Sequence, residues 1–191
     1  MLALGWLRQA AVKGIGDADY ALAVAYAGGC GVPKDAAESA RRKRKAAEEG
    51  FAPAQYEVAT QYERNGNYTD AAKWYLKAAL QGRSEAQAGL GKLFEDGLGV
   101  PQDNAKAAEW YRRAAEHDSD AQGRNELGML YADGRGVRQD YVEAYKWFAL
   151  AHADTNLRIL SAEISSEQIA EAQRRTAEWG KTHHTDTLHT P

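Results

Sequence analysis

Five consecutive cations, Arg41 to Lys45, form the densest charge in this chain and could neutralise phosphates as a nucleic-acid-binding helix does. Wound into a helix, however, five successive side chains point in every direction. Glu48 and Glu49 follow closely, and no glycine-rich phosphate cradle accompanies the run. A solvated face, with Arg stems lying along apolar surface, is the preferred reading. His183, His184 and His189 could ligate a metal ion, yet their polar terminal segment offers no organised surroundings, so no metal site is expected. Cys30 sits between glycines without a nearby His or cation to lower its pKa, and reads as a loop residue. Five tryptophans could build an aromatic cage for a cation. The spacing of Trp6, Trp74, Trp110 and Trp147 favours core packing instead. Nucleophile elbow, phosphate loop and zinc signature are all missing from the sequence. The chain is therefore read as non-enzymatic, with no catalytic residue and no cofactor.

The elements that must position these residues repeat. Trp74, Trp110 and Trp147 stand 36 and 37 residues apart, each with Ala three before it and Ala four after it. Tyr26, Tyr62, Phe94 and Tyr131 form a second ladder at intervals of 36, 32 and 37. A period in this range marks a helical solenoid. One repeat cannot bury its own apolar face, so stacking decides the fold and the stacked groove becomes the expected functional surface. Each repeat reads as two helices joined by a glycine loop: Gly28 to Pro33, Gly97 to Pro101, Gly134 to Arg138. Glycine suits the reversal because it enters the left-handed region without Cβ strain. The loop Val is expected to insert between helices. Asp35, Asp103 and Asp140 stand where a carboxylate caps the next helix. The second helix then carries the Ala-Trp-Ala positions, with Trp filling the gap between neighbouring hairpins.

These residues follow A-x-x-x-L-G-x-x-(Y/F)-x-x-G-x-G-V-x-x-D-x-x-x-A-x-x-W-x-x-x-A-A, nearly complete from Ala86 to Ala115. In this the chain resembles the Sel-one-like repeat family, a relative of the tetratricopeptide repeats. The resemblance implies an all-α fold: an α–α superhelix, a right-handed solenoid of antiparallel helix pairs. It also implies binding of a protein or peptide partner rather than catalysis. Some cysteine-rich members are linked to β-lactam binding or hydrolysis. The single Cys30 excludes that branch's paired cysteines, and no serine–lysine motif replaces them.

The organisation expected is an N-terminal half-repeat helix at 1–13 and repeats over 14–153, divided near 14–49, 50–81, 82–117 and 118–153. Capping helices at 154–180 and a mobile tail at 181–191 follow. Trp6 to Gly14 match Trp74 to Gly82, so the chain opens inside a repeat. Either a lone helix caps the stack or an upstream repeat is missing. Repeat two lacks the glycine loop, leaving Tyr62 only 12 residues from Trp74. In repeat one the Trp slot holds Arg42. Ser165 and Gln168 stand at capping-box spacing before a last helix.

First helices are expected to line the groove, as in the tetratricopeptide fold. The positions six before the ladder aromatic include Tyr20, Tyr56 and Asn125, and those two before it are Val24, Thr60, Lys92 and Met129. Glu63, Arg64 and Glu95 follow the aromatic. This mixture suits an extended peptide or partner helix with a basic portion. The competing reading leaves these residues solvated, or covered by the chain's own terminal helix. A net charge of −3 implies neither an acidic nor a basic partner. Nucleic acid, through Arg41 to Lys45, is the alternative. No apolar run is long enough to span a membrane, and no signal peptide is read at the start. A single cysteine favours the cytoplasm, although a missing upstream segment would hide an export signal.

Overall fold

The computed structural model describes residues 2–116 and 121–183. Eleven helices account for its secondary structure, with no strand among the described residues. They are α1 (Leu2–Val12), α2 (Gly16–Gly28), α3 (Ala36–Glu48), α4 (Ala52–Arg64), α5 (Tyr68–Leu80), α6 (Ser84–Asp96), α7 (Asn104–Ala115), α8 (Ala121–Asp133), α9 (Tyr141–Leu150), α10 (Asp154–Ser161) and α11 (Ser166–His183). The chain divides into two compact units, Met1–Ala86 and Gln87–Pro191. In each, antiparallel pairs such as α2 with α3, α4 with α5 and α8 with α9 stack on the helix before them. Helix α11 continues to His183, into the segment read from sequence as tail; His184 and His189 lie outside the described residues.

Local chemistry sets the helix starts. Asp35, Asp103 and Asp140 each accept a backbone N–H from the first turn of the following helix. Asn67 does the same for α5, where the glycine loop is absent. Ser165 and Gln168 form the reciprocal capping box of α11, at 3.0 and 3.3 Å. The loop glycines Gly29, Gly31, Gly97, Gly99, Gly134 and Gly136 all have positive φ.

The core is built on small residues and on a ring that the Trp ladder conceals. Ala71, Ala78, Ala107, Ala114 and Ala144 are fully buried, which lets backbones approach closely. The large buried side chains beside them are Tyr75, Tyr111 and Phe148, one position after each Trp. Trp147 is also buried, with Trp179 of α11 edge-on to it at 6.2 Å. Trp74 and Trp110 are only half-buried, and cations lie over their rings: Lys77 at 4.1 Å and Arg113 at 4.5 Å. Trp6 is 70% exposed, which corrects the core reading of that residue. The helical glycines have a packing role. A Cβ at Gly91 would meet the Tyr111 ring at 2.8 Å, and one at Gly128 the Phe148 ring at 2.7 Å.

A polar rule accompanies this ring. Tyr75 donates its hydroxyl to Glu63, and Tyr111 donates to Glu95 at 2.8 Å. Where Ala132 replaces the Glu, the ring is Phe148, which needs no acceptor. Burial, together with the neighbouring carboxylate, pushes both tyrosine hydroxyls well above their ordinary pKa.

Candidate functional site

In Met1–Ala86 the exposed edge of the first helices runs through α2 and α4. Tyr20 and Val24 are one turn apart on α2, while Tyr56, Thr60 and Arg64 continue at the same spacing on α4. Val24 is 51% exposed. Tyr20 donates its hydroxyl to Glu57 and rests its ring 5.1 Å from that of Phe51. The Glu57 hydrogen bond, reinforced by burial, raises the Tyr20 pKa to about 12. Tyr56 stands 5.9 Å from Tyr75, with the Arg83 guanidinium 5.0 Å from its ring centre. Both tyrosines are thus seams between helices as much as surface. Thr60 donates to the Glu57 carbonyl at 2.9 Å, and Arg64 is exposed. Glu63 is occupied by Tyr75.

In Gln87–Pro191 the corresponding edge lies on α6 and α8. Lys92 is exposed and bridges Asp96 at 3.1 Å. Burial works against its charge, but Asp96 and Glu95 hold its pKa above the ordinary value. Glu95, expected at the open surface, is buried between the Tyr111 hydroxyl and the Arg135 guanidinium at 2.6 Å. Burial, with the Glu95 carboxylate nearby, raises the pKa of Glu126. Asn125 accepts from Asn156 of α10 at 2.7 Å, so a terminal helix occupies part of this edge. Met129 is 37% exposed.

The basic run splits between two directions: Arg41, Lys43 and Arg44 line one cleft, while Arg42 and Lys45 turn to Asp19. Arg41 pairs with Glu38 at 2.7 Å and Lys43 with Glu57 at 2.6 Å. Arg44 donates to the Tyr62 hydroxyl at 2.6 Å. Arg42 and Lys45 converge on Asp19, whose side chain is fully buried, at 2.5 and 2.6 Å. Burial alone would raise the Asp19 pKa; the hydrogen bonds from Lys45 and Arg42 outweigh it and leave the carboxyl below its ordinary range. The Trp slot of repeat one has therefore exchanged a ring for an ion pair, a partner that no local spacing reveals.

Among the described residues no cluster of metal-ligating groups occurs, and no helix is long and apolar enough to cross a membrane. Cys30 is exposed. His183 stacks on Trp179 at 3.8 Å between ring centres.

The Sel1 repeat model matches residues 16–51, 52–82, 84–119 and 121–151. A crystal structure of c5321, a protective antigen of uropathogenic Escherichia coli with an SLR fold, is similar over 96% of this chain and 42% of its own. The TM-score there is 0.82, at 32% identity. A Sel1 repeat protein from Oxalobacter formigenes matches over 96% of this chain and 79% of its own, at TM-score 0.71 and 28% identity. The chitin synthase regulator SKT5 of Malassezia restricta is 32% identical over 118 residues, which is 58% of this chain but only 8% of that protein.

Proposed function

We propose that this chain, which belongs to the Sel1 repeat family, is a non-catalytic scaffold that holds a partner polypeptide against the exposed edges of its first helices. One observation carries the reading. The position two residues before each ladder aromatic is reached by solvent, and it holds Val24, Thr60, Lys92 and Met129 on equivalent helical backbones. A rigid backbone presenting four different side chains at one repeated position suits recognition of a polypeptide by side-chain identity. The regulatory role named for the Malassezia protein supports action by contact, although the shared segment is a small part of it. A cytoplasmic setting belongs to the same proposal, on the strength of the lone Cys30, and fractionation of native cells tests it.

Affinity capture from the native cell tests the function, using wild type, Val24→Glu and Lys92→Glu at matched ionic strength. Both side chains are exposed, so both variants should fold; Lys92→Glu also loses the Asp96 pair, so its melting is measured beside its binding. Tyr56→Ala is a poorer probe, because the ring packs on Tyr75 and its loss mixes stability with binding. The reading expects partner recovery to fall in each folded variant. Full recovery in both would remove the first-helix edges as the binding surface.

A further inference from the structure

Two clefts occupy the same place in the repeat. One, of about 840 Å³, lies in Met1–Ala86, walled by Ala27, Ala36, Thr60 and Arg64 among others. The other, of about 520 Å³, lies in Gln87–Pro191 and includes Ala132, Tyr141, Ile159 and Glu163. Ala27 and Ala132 each follow a ladder tyrosine, and Ala36 and Tyr141 each follow a capping aspartate. Glu57, Val58 and Gln61 stand 5, 6 and 9 residues after the start of α4, as Ile159, Leu160 and Glu163 stand after the start of α10.

A shortened connection lies beside both. Only Asn65, Gly66 and Asn67 separate α4 from α5, and only residues 162–165 separate α10 from α11. The full glycine loops at Gly31 and Gly136 lean on the second helix of the preceding pair. A Cβ at Gly136 would lie 2.2 Å from the Asn104 carbonyl carbon at the start of α7, and one at Gly31 would lie 2.7 Å from Cδ1 of Leu4 in α1. Asn104 begins α7 as Ala36 begins α3. Without the loop, the start of that second helix is bare and a cleft remains.

We infer that the cleft between α3 and α4 is a docking site for an acidic, extended segment of the partner, which takes the place of the missing loop. The inference deepens the scaffold reading and rests on it. Charge complementarity selects the occupant. Arg41, Lys43, Arg44 and Arg64 line the cleft, against Glu57, which Lys43 already engages. Arg64 has no hydrogen-bond or ion-pair partner among the described residues. Ala36, Ala40 and Val58 supply an apolar floor for a small side chain between the carboxylates. The volume falls within the range of pockets that hold ligands. In the second cleft Asp133 and Glu163 repel such a segment, so the two sites do not compete for it.

Fluorescence anisotropy tests the site with two labelled pools of short peptides on the full chain. One pool is built from Asp, Glu, Gly and Val, and the other from Lys, Arg, Gly and Val; a labelled single-stranded oligonucleotide is the third probe. The acidic pool should bind most tightly. Arg64→Glu should weaken it by on the order of tenfold, as reversal of a contacting charge does. Replacing Asn65-Gly66-Asn67 with the sequence of residues 97–103 should fill the cleft and abolish binding, while a change at the exposed Lys181 of α11, Lys181→Glu, leaves it unchanged. The exposed Arg64→Glu change carries the test alone if the graft does not fold. Acidic peptides bound no better than basic ones, or a folded graft with full affinity, would overturn the inference. Preference for the oligonucleotide would overturn it as well and assign the cleft to nucleic acid. Partner capture lost in Val24→Glu but intact in the graft would retain the scaffold and discard this site.

Discussion

Replacing Tyr111 by Ala removes a ring that is 0% exposed and takes a donor from the buried Glu95 carboxylate. The loss should be about 3–5 kcal/mol, the range for deleting a large buried aromatic. Trp110→Ala should remain near 1–2 kcal/mol, because its half-buried ring gives up less apolar area. Urea denaturation of the two variants checks the order; equal losses would mean that Trp110 is buried in solution. The Trp ladder was legible because Trp is rare and regularly spaced. The neighbouring Tyr75, Tyr111 and Phe148 share that spacing, but their importance shows only through their pairing with Glu63, Glu95 and Ala132. Asp19 is a second case, since its partners Arg42 and Lys45 come from another helix. Arg42→Ala strips a buried carboxylate of one charged donor and should cost roughly 1–3 kcal/mol. The Asp19 pKa is lowered on folding and that of Glu38 falls to about 2, held there by Arg41 and Arg42. The unfolded chain then binds more protons, so stability is full above about pH 5 and is lost as pH falls through the folded values. Asp19→Asn should lower stability at neutral pH and flatten the acid limb, measurable by denaturation at stepped pH. An unchanged limb would mean that Asp19 is not ionised against its two cations.

Elements were legible wherever their signals are local. Asp and Ser caps, the capping box and glycine reversals are decided within a few residues, and each appears at its expected place. What a loop touches is decided by the preceding repeat, and that was not legible. Gly66 and Gly136 separate these two roles. Both have positive φ, but a Cβ at Gly66 meets nothing within 4 Å, whereas one at Gly136 meets the Asn104 backbone at 2.2 Å. Gly66→Ala should therefore cost only the left-handed strain, about 1–2 kcal/mol. Gly136→Ala should add an overpacking penalty of about 1–3 kcal/mol, because backbone cannot swing aside as a side-chain tip can. Thermal unfolding of the pair measures the difference. Equal melting temperatures would mean that the loop does not lean on α7 in solution.

For the whole molecule, the period of the sequence was enough for an all-α repeat fold, since stacking is the one way such repeats bury their apolar faces. Function was legible only as a surface class. Val24, Lys92 and Met129 are exposed where the first-helix reading places them, but Glu63 and Glu95 serve the core and Asn125 is tied to Asn156. Sequence marks which face of a helix is polar; it does not mark which polar groups already have partners. The scaffold account is tested most directly by site-specific photo-crosslinking in the native cell. The photoreactive residue is placed at Val24, at Lys92 and, as a control on the second-helix side, at the exposed Leu80. The account predicts that Val24 and Lys92 crosslink to the same partner polypeptide and that Leu80 does not. Crosslinks from Leu80 alone, with none from the two first-helix positions, would contradict it.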